Sequence, residues 1–173
     1  MKGANMKIAR LETSVLQRTS WQLILILIVA FLIPGEAING LAVPFGQSWW
    51  DTLAKPAFTP PAWWVFPAVW IINYAVMGIA VALIWPHRHE RIAHIALTLF
   101  MMQLVLGYAW LPLVYGLHSI FLGLLLDISG LLLVLGTTWI FRSISSQAVW
   151  WMLPYILWLL YTTILKFVIW RLN

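Results

Sequence analysis

Residues 117–141 read LHSIFLGLLLDISGLLLVLGTTWIF, with Asp127 as the one carboxylate and no lysine or arginine. These 25 residues exceed the roughly 20 that a helix needs to cross the hydrocarbon of a bilayer. Working outward, four similar apolar runs predict further spans at Trp21–Ile38, Trp63–Trp85, Ile92–Pro112 and Gln147–Trp170. Breakers separate them: Pro44, Pro56, Pro60 and Pro61 after the first, Pro86 after the second, Pro112 and Gly116 after the third. The expected fold is therefore an all-α membrane protein, a single five-helix transmembrane bundle over residues 21–173 behind a basic tail, 1–20. Short connections predict that consecutive helices pack antiparallel.

Composition agrees. Of the 173 residues, 63% are apolar and 9% charged, whereas a soluble domain carries about 25% charged residues. The absence of cysteine excludes disulfides and thiolate chemistry. The net charge of +5 is spread over short flanks and forms no basic patch, which argues against a nucleic-acid partner.

Lys2, Lys7, Arg10, Arg18, Arg88, Arg91 and Arg142 fall on one side of the expected bundle, so the N-terminus is expected to be cytoplasmic. The same N-terminal segment also fits a signal peptide, with Gly35-Glu36-Ala37 as the small-residue cleavage site. The stretch from Asn39 to Ala62, rich in proline and aromatics, is expected to fold back as a lid loop over the far end of the bundle.

Aromatic and polar residues collect toward that end. Trp70 and Asn73, Tyr108 and Trp110, Tyr115 and His118 lie there on successive helices. On the fifth helix Trp158, Tyr161, Thr162 and Leu165 recur at spacings of three and four, which predicts one face. Together they suggest a half-bundle cavity walled by rings, suited to a large, flat, apolar ligand. For Trp70 and Trp158 plain helix packing is an equal alternative. Trp21, Trp85, Trp139, Trp150, Trp151 and Trp170 near helix ends read as an interfacial belt.

Asp127 shares a stripe with Ser119, Gly123 and Gly130, so it is expected at a helix contact, as a satisfied structural group or a ligand or proton contact. Lys166 can snorkel to the interface or meet a ligand carboxylate. His87, Arg88, His89 and His94 read as a solvated basic flank and not as a metal site. No motif of side-chain catalysis is present, and an enzyme is disfavoured.

Trp49-Trp50-Asp51-Thr52-Leu53-Ala54-Lys55-Pro56-Ala57-Phe58-Thr59-Pro60-Pro61, followed by Trp64-Val65-Phe66, Val69-Trp70, Tyr74 and Met77-Gly78, resembles the signature of the TspO/MBR family. The likeness continues through Gln103-Leu104, Trp110, Pro112-Leu113, Gly116, Asp127, Pro154-Tyr155, Trp158, Leu165 and Ile169-Trp170-Arg171-Leu172-Asn173. It implies a five-helix membrane protein, commonly a homodimer, that binds porphyrin or haem beneath the 1–2 loop and requires no cofactor. Lipid or sterol is a further partner, although the family's cholesterol motif is broken at Phe167. Transport, sensing and light-dependent porphyrin breakdown are the activities proposed for such proteins.

Carried over by position, the ligand-binding residues are Trp50, Trp70, Trp110, Trp158, Thr162 and Leu165. Asn73 and Lys166 join them from the residue reading. The sequence departs from the family where an amide is replaced by Gly107, and again at Lys166. Pro67 stands where glycine is usual. A cation at Lys166 is expected to pair an acidic ligand, as porphyrin propionates would require.

Overall fold

The structure is a computed structural model that describes residues 20–60 and 64–173. Residues 1–19 of the basic tail and residues 61–63 lie outside the described residues. Five helices follow in order, each long and apolar enough to cross a membrane. They are α1 (Trp21–Thr52), α2 (Val65–Ile84), α3 (Arg91–Leu117), α4 (Ile120–Phe141) and α5 (Ser146–Leu172), with a short 3-10 turn at Trp85–His87.

Serine hydroxyls start three of them. Ser20 accepts the Leu23 N–H at 3.2 Å, Ser119 that of Leu122 at 3.2 Å and Ser145 that of Ala148 at 3.4 Å. Each satisfies one of the amides that a helix start leaves without a partner. The α3–α4 corner turns at His118, whose φ of 49° is left-handed.

The first correction concerns α1. The expected lid loop of 39–62 is helical as far as Thr52, so the connection shortens to residues 53–64. Pro34 and Pro44 sit inside this helix. A membrane helix tolerates proline because neighbouring groups re-satisfy the freed carbonyls. The 32 residues of α1 make a rod of about 48 Å at 1.5 Å per residue, longer than the hydrocarbon of about 30 Å. Its packed stripe is small: Phe31, Gly35, Ala42 and Gly46 are buried. Gly35 lies against the Tyr74 ring and Gly46 against Tyr115, both too close for a Cβ. Gly35-Glu36-Ala37, the alternative cleavage site, is thus mid-helix and packed on α2.

A second correction concerns the order of packing. α1 packs on α2 and α3, α2 on α5, α5 on α4, and α4 on α3, which closes a ring in the order 1-2-5-4-3. The consecutive helices α2 and α3 are not ring neighbours, because α1 lies between them. The close α1–α2 approach is set by Gly78, where a Cβ would stand 2.7 Å from Ile28 Cγ1 and 2.9 Å from its backbone nitrogen. α3 continues through Pro112 to Leu117, and α4 begins three residues later than expected, at Ile120.

The half of the ring that holds the α2–α3 and α4–α5 connections is solid. Phe100, Phe141, Met152, Val134, Ala80, Ala93, Ala96 and Ala148 are fully buried there, with Phe31 and Phe100 rings 5.3 Å apart. Small residues bring the backbones close and large ones fill what remains, which is how membrane helices gain packing contacts without a hydrophobic drive. The six belt tryptophans are all exposed, and two carry cations on their rings: Arg88 lies 5.4 Å from Trp85 and Arg142 5.8 Å from Trp139. His87 of the basic flank pairs with Glu90 at 2.7 Å.

Candidate functional site: an aromatic cavity over a buried ion pair

The other half of the ring is hollow. A cavity of about 780 Å³ opens beneath the 53–64 connection, with every helix contributing to its wall. From α1 come Glu36, Asn39, Gln47, Trp50 and Asp51; these follow one another at helical spacing along one face. α2 adds Trp70 and Tyr74, and α3 adds Gln103, Gly107 and Trp110. α4 supplies Asp127 and Gly130, and α5 supplies Tyr155, Leu159, Thr162, Leu165 and Lys166.

The rings form two groups. Trp70 is 5.7 Å from Tyr74 and 6.1 Å from Tyr155, and Tyr74 is 6.1 Å from Tyr108. Tyr115 is the hub of the second group, 6.2 Å from both Trp50 and Trp110 and 6.1 Å from Trp49. These separations lie within the range of favourable aromatic pairs, each contributing about 0.5–1.5 kcal/mol beyond area burial. Polar atoms fix the rings in place. Trp110 Nε1 donates to the Gly123 carbonyl at 3.2 Å, and the Tyr108 hydroxyl donates to the Phe31 carbonyl at 2.6 Å.

Lys166 and Asp127 meet. The ammonium lies 2.8 Å from Asp127 Oδ2, with both side chains buried, and 4.5 Å from the centre of the Trp110 ring. Lys166 therefore does not snorkel, and Asp127 faces the helix contact expected of it, with a cation from α5 as its partner. Two charges that would each be very costly in the bilayer neutralise each other, with an indole face covering the cation.

The connection over the cavity is pinned at two points, Ala54 and Phe58. Ala54 N–H donates to Asn173 Oδ1 at 2.9 Å, and Asn173 Nδ2 donates to the Ala54 carbonyl at 3.1 Å. The Tyr161 hydroxyl donates to the Phe58 carbonyl at 3.1 Å. Lys55 Nζ stays at the rim, bonded to the Leu53 carbonyl at 3.3 Å and 5.4 Å from the Trp50 ring.

Of the eight residues named from sequence, the structure gathers Trp50, Trp70, Trp110, Thr162, Leu165 and Lys166 around the cavity and leaves out Asn73 and Trp158. Asn73 is buried at 1% exposure away from the wall. Trp158 is displaced by Phe66, which takes its place in the wall and packs edge-on against the indole at 5.6 Å. The face of α5 that reaches the cavity is Tyr155–Leu159–Thr162–Lys166, and Tyr161 turns to the connection instead. Apart from Trp50, sequence reasoning missed the α1 wall, because residues 39–52 read as part of a loop. It also missed Gln103, whose side-chain nitrogen and oxygen are both buried without a partner.

The sequence model of the TspO/MBR family matches residues 21–171. The chain belongs to the TspO/MBR family. Among family members, it is 33% identical to the tryptophan-rich protein TspO of Archaeoglobus fulgidus, over 84% of this chain and 94% of that one. It is 33% identical to the human translocator protein, over 74% of this chain and 76% of that one. With the tryptophan-rich sensory protein of Cereibacter sphaeroides it shares 30% identity, over 88% and 92% of the two chains. Membership in the TspO/MBR family and five apolar helices make the chain an integral multi-pass membrane protein.

Proposed function

We propose that this chain is a membrane binding protein for porphyrin-like tetrapyrroles, held beneath the 53–64 connection. The observation that carries the reading is the cavity of about 780 Å³ with Trp50, Trp70 and Trp110 in its wall. That volume is in the upper part of the range of about 300–1,000 Å³ typical of small-molecule sites. The indole and phenol faces favour a broad planar ring over a flexible chain. Micromolar affinity corresponds to about −8.2 kcal/mol, within reach of ring burial combined with a few polar contacts.

Titration of the purified protein with protoporphyrin IX should quench tryptophan fluorescence. Trp70→Ala combined with Trp110→Ala should weaken binding at least about tenfold, since two stacking faces at roughly 0.5–1.5 kcal/mol each are lost along with buried area. Trp158→Ala should change it little, because Phe66 screens that indole from the cavity. Unchanged affinity in the double variant removes the proposed site.

The expected orientation also belongs to this proposal. Arg88, Arg91 and Arg142 all lie at the solid end of the ring, and under the positive-inside rule this supports a cytoplasmic solid end and N-terminus. The cavity then opens to the opposite side. A cysteine placed at Ser143 in this cysteine-free chain should be labelled by a membrane-impermeant reagent only after the cells are opened. Labelling of intact cells reverses the assignment.

A further inference from the structure

The cavity contains its own counter-ion. Lys166 is the cation that an acidic ligand would seek, yet Asp127 already holds it at 2.8 Å. In a low-dielectric interior the pair is neutral as a unit, and a ligand carboxylate added to it would leave one buried negative charge uncompensated.

Beside Lys166, one other cation faces the cavity, Lys55 of the connection, and the carboxyls of the lining outnumber the two together. α1 contributes the carboxyls of Glu36 and Asp51, α2 the phenol of Tyr74, α3 that of Tyr115 and α5 that of Tyr155, while α4 contributes Asp127 alone. The connection brings Lys55, which is held at the rim by the Leu53 carbonyl. Three carboxyls thus face two ammonium groups across the lining. Neutrality can be restored by a proton.

We propose that the cavity takes a carboxylate-bearing ligand by counter-ion exchange at Lys166, with Asp127 accepting one proton as the ligand carboxylate becomes the partner of the ammonium. No covalent bond changes. A solution proton moves to an Asp127 oxygen, the Lys166–Asp127 ion pair becomes a Lys166–ligand ion pair, and the net charge of the site is the same before and after. The Trp110 ring, 4.5 Å from the ammonium, keeps the cation in place during the exchange, because the indole face needs no counter-charge. This assignment rests on the tetrapyrrole reading of the cavity and adds a ligand class, acids over esters, together with a coupling to pH.

The test compares protoporphyrin IX with its dimethyl ester on the purified full chain, reading tryptophan quenching from pH 6 to 8 and proton uptake with an indicator in weak buffer. The free acid should take up one proton per molecule bound, and its Kd should tighten about tenfold for each unit the pH falls, as linkage requires of one proton. The ester should bind with no uptake and a flat profile. Asp127→Asn, which leaves Lys166 without its internal partner, should bind the free acid more tightly than the parent chain and independently of pH. If that variant does not fold, Asp127→Asn with Lys166→Asn removes the whole pair and should bind the free acid more weakly than the ester, since the ligand carboxylate then meets no buried cation.

Free-acid binding to the parent chain without proton uptake overturns the exchange, and so does uptake that persists in Asp127→Asn or a preference for the acid that persists in the double variant. Binding of the ester alone overturns it while leaving the tetrapyrrole site intact. Binding of neither compound removes both.

Discussion

Lys166→Met should destabilise the protein by about 3–5 kcal/mol, because the change strands the Asp127 carboxylate in a buried site with no cation. The loss should be read as a lower midpoint on unfolding in mixed micelles. Lys166→Met together with Asp127→Leu should recover most of it, since exchanging a whole buried pair for apolar groups is often neutral or better. The double variant separates two roles. If the pair existed only to hold α4 against α5, the double variant would bind ligands as the parent does. If the pair also serves the cavity, the double variant is stable yet loses its preference for acid over ester. A single Lys166→Met variant as stable as the parent would show that the two side chains do not meet.

A second large effect is expected at Gly46. Its position against the Tyr115 ring leaves no room for a Cβ, and the contact involves the base of that side chain, which cannot swing away. Gly46→Ala should therefore push the upper part of α1 off α3, at a cost of about 1–3 kcal/mol for overpacking. Because Trp50 and Asp51 follow in the same stretch of helix, ligand affinity should fall as well. Gly136→Ala is the companion measurement. Nothing lies within 4 Å of a Cβ built there, and alanine in a helix interior gains roughly 0.5–1 kcal/mol over glycine. The same substitution should thus lower the unfolding midpoint at one position and raise it at the other. Equal effects at both would contradict the α1–α3 contact.

Much of this architecture is legible in the sequence, and the exceptions have specific causes. The spans of α2 to α5 follow from apolar length, since nothing but lipid suits runs like Leu131–Leu135. α1 ends early in the sequence because Pro44 is a breaker in water. In a bundle it is tolerated, and Gly46 just beyond it gives the close contact with Tyr115. The signal was nonetheless present: Phe31, Gly35, Ala42 and Gly46 recur at four, seven and four, and Glu36, Asn39, Val43, Gln47 and Trp50 at three and four. Both are helix faces, the first packed on neighbours and the second lining the cavity.

The cavity's tryptophans on α2 and α3 were readable from their depth. Trp158 was not, because whether an indole at the edge of a face reaches the cavity depends on its neighbour across the helix interface, here Phe66. The Lys166–Asp127 pair illustrates a further limit. Each residue could be assigned a depth on its own helix, and the short connection already makes α4 and α5 neighbours, but which of their faces meet depends on the ring order 1-2-5-4-3. Helix spacing alone does not determine that order.

The solid half of the bundle makes the hollow half a cul-de-sac. Below the cavity lies a floor in which Ala80, Ala93, Ala96, Phe100 and Met152 have almost no accessible surface, and the described residues there pack without a gap. Among the described residues the hollow half is thus a receptacle closed at its inner end, with depth on one side of the bundle only.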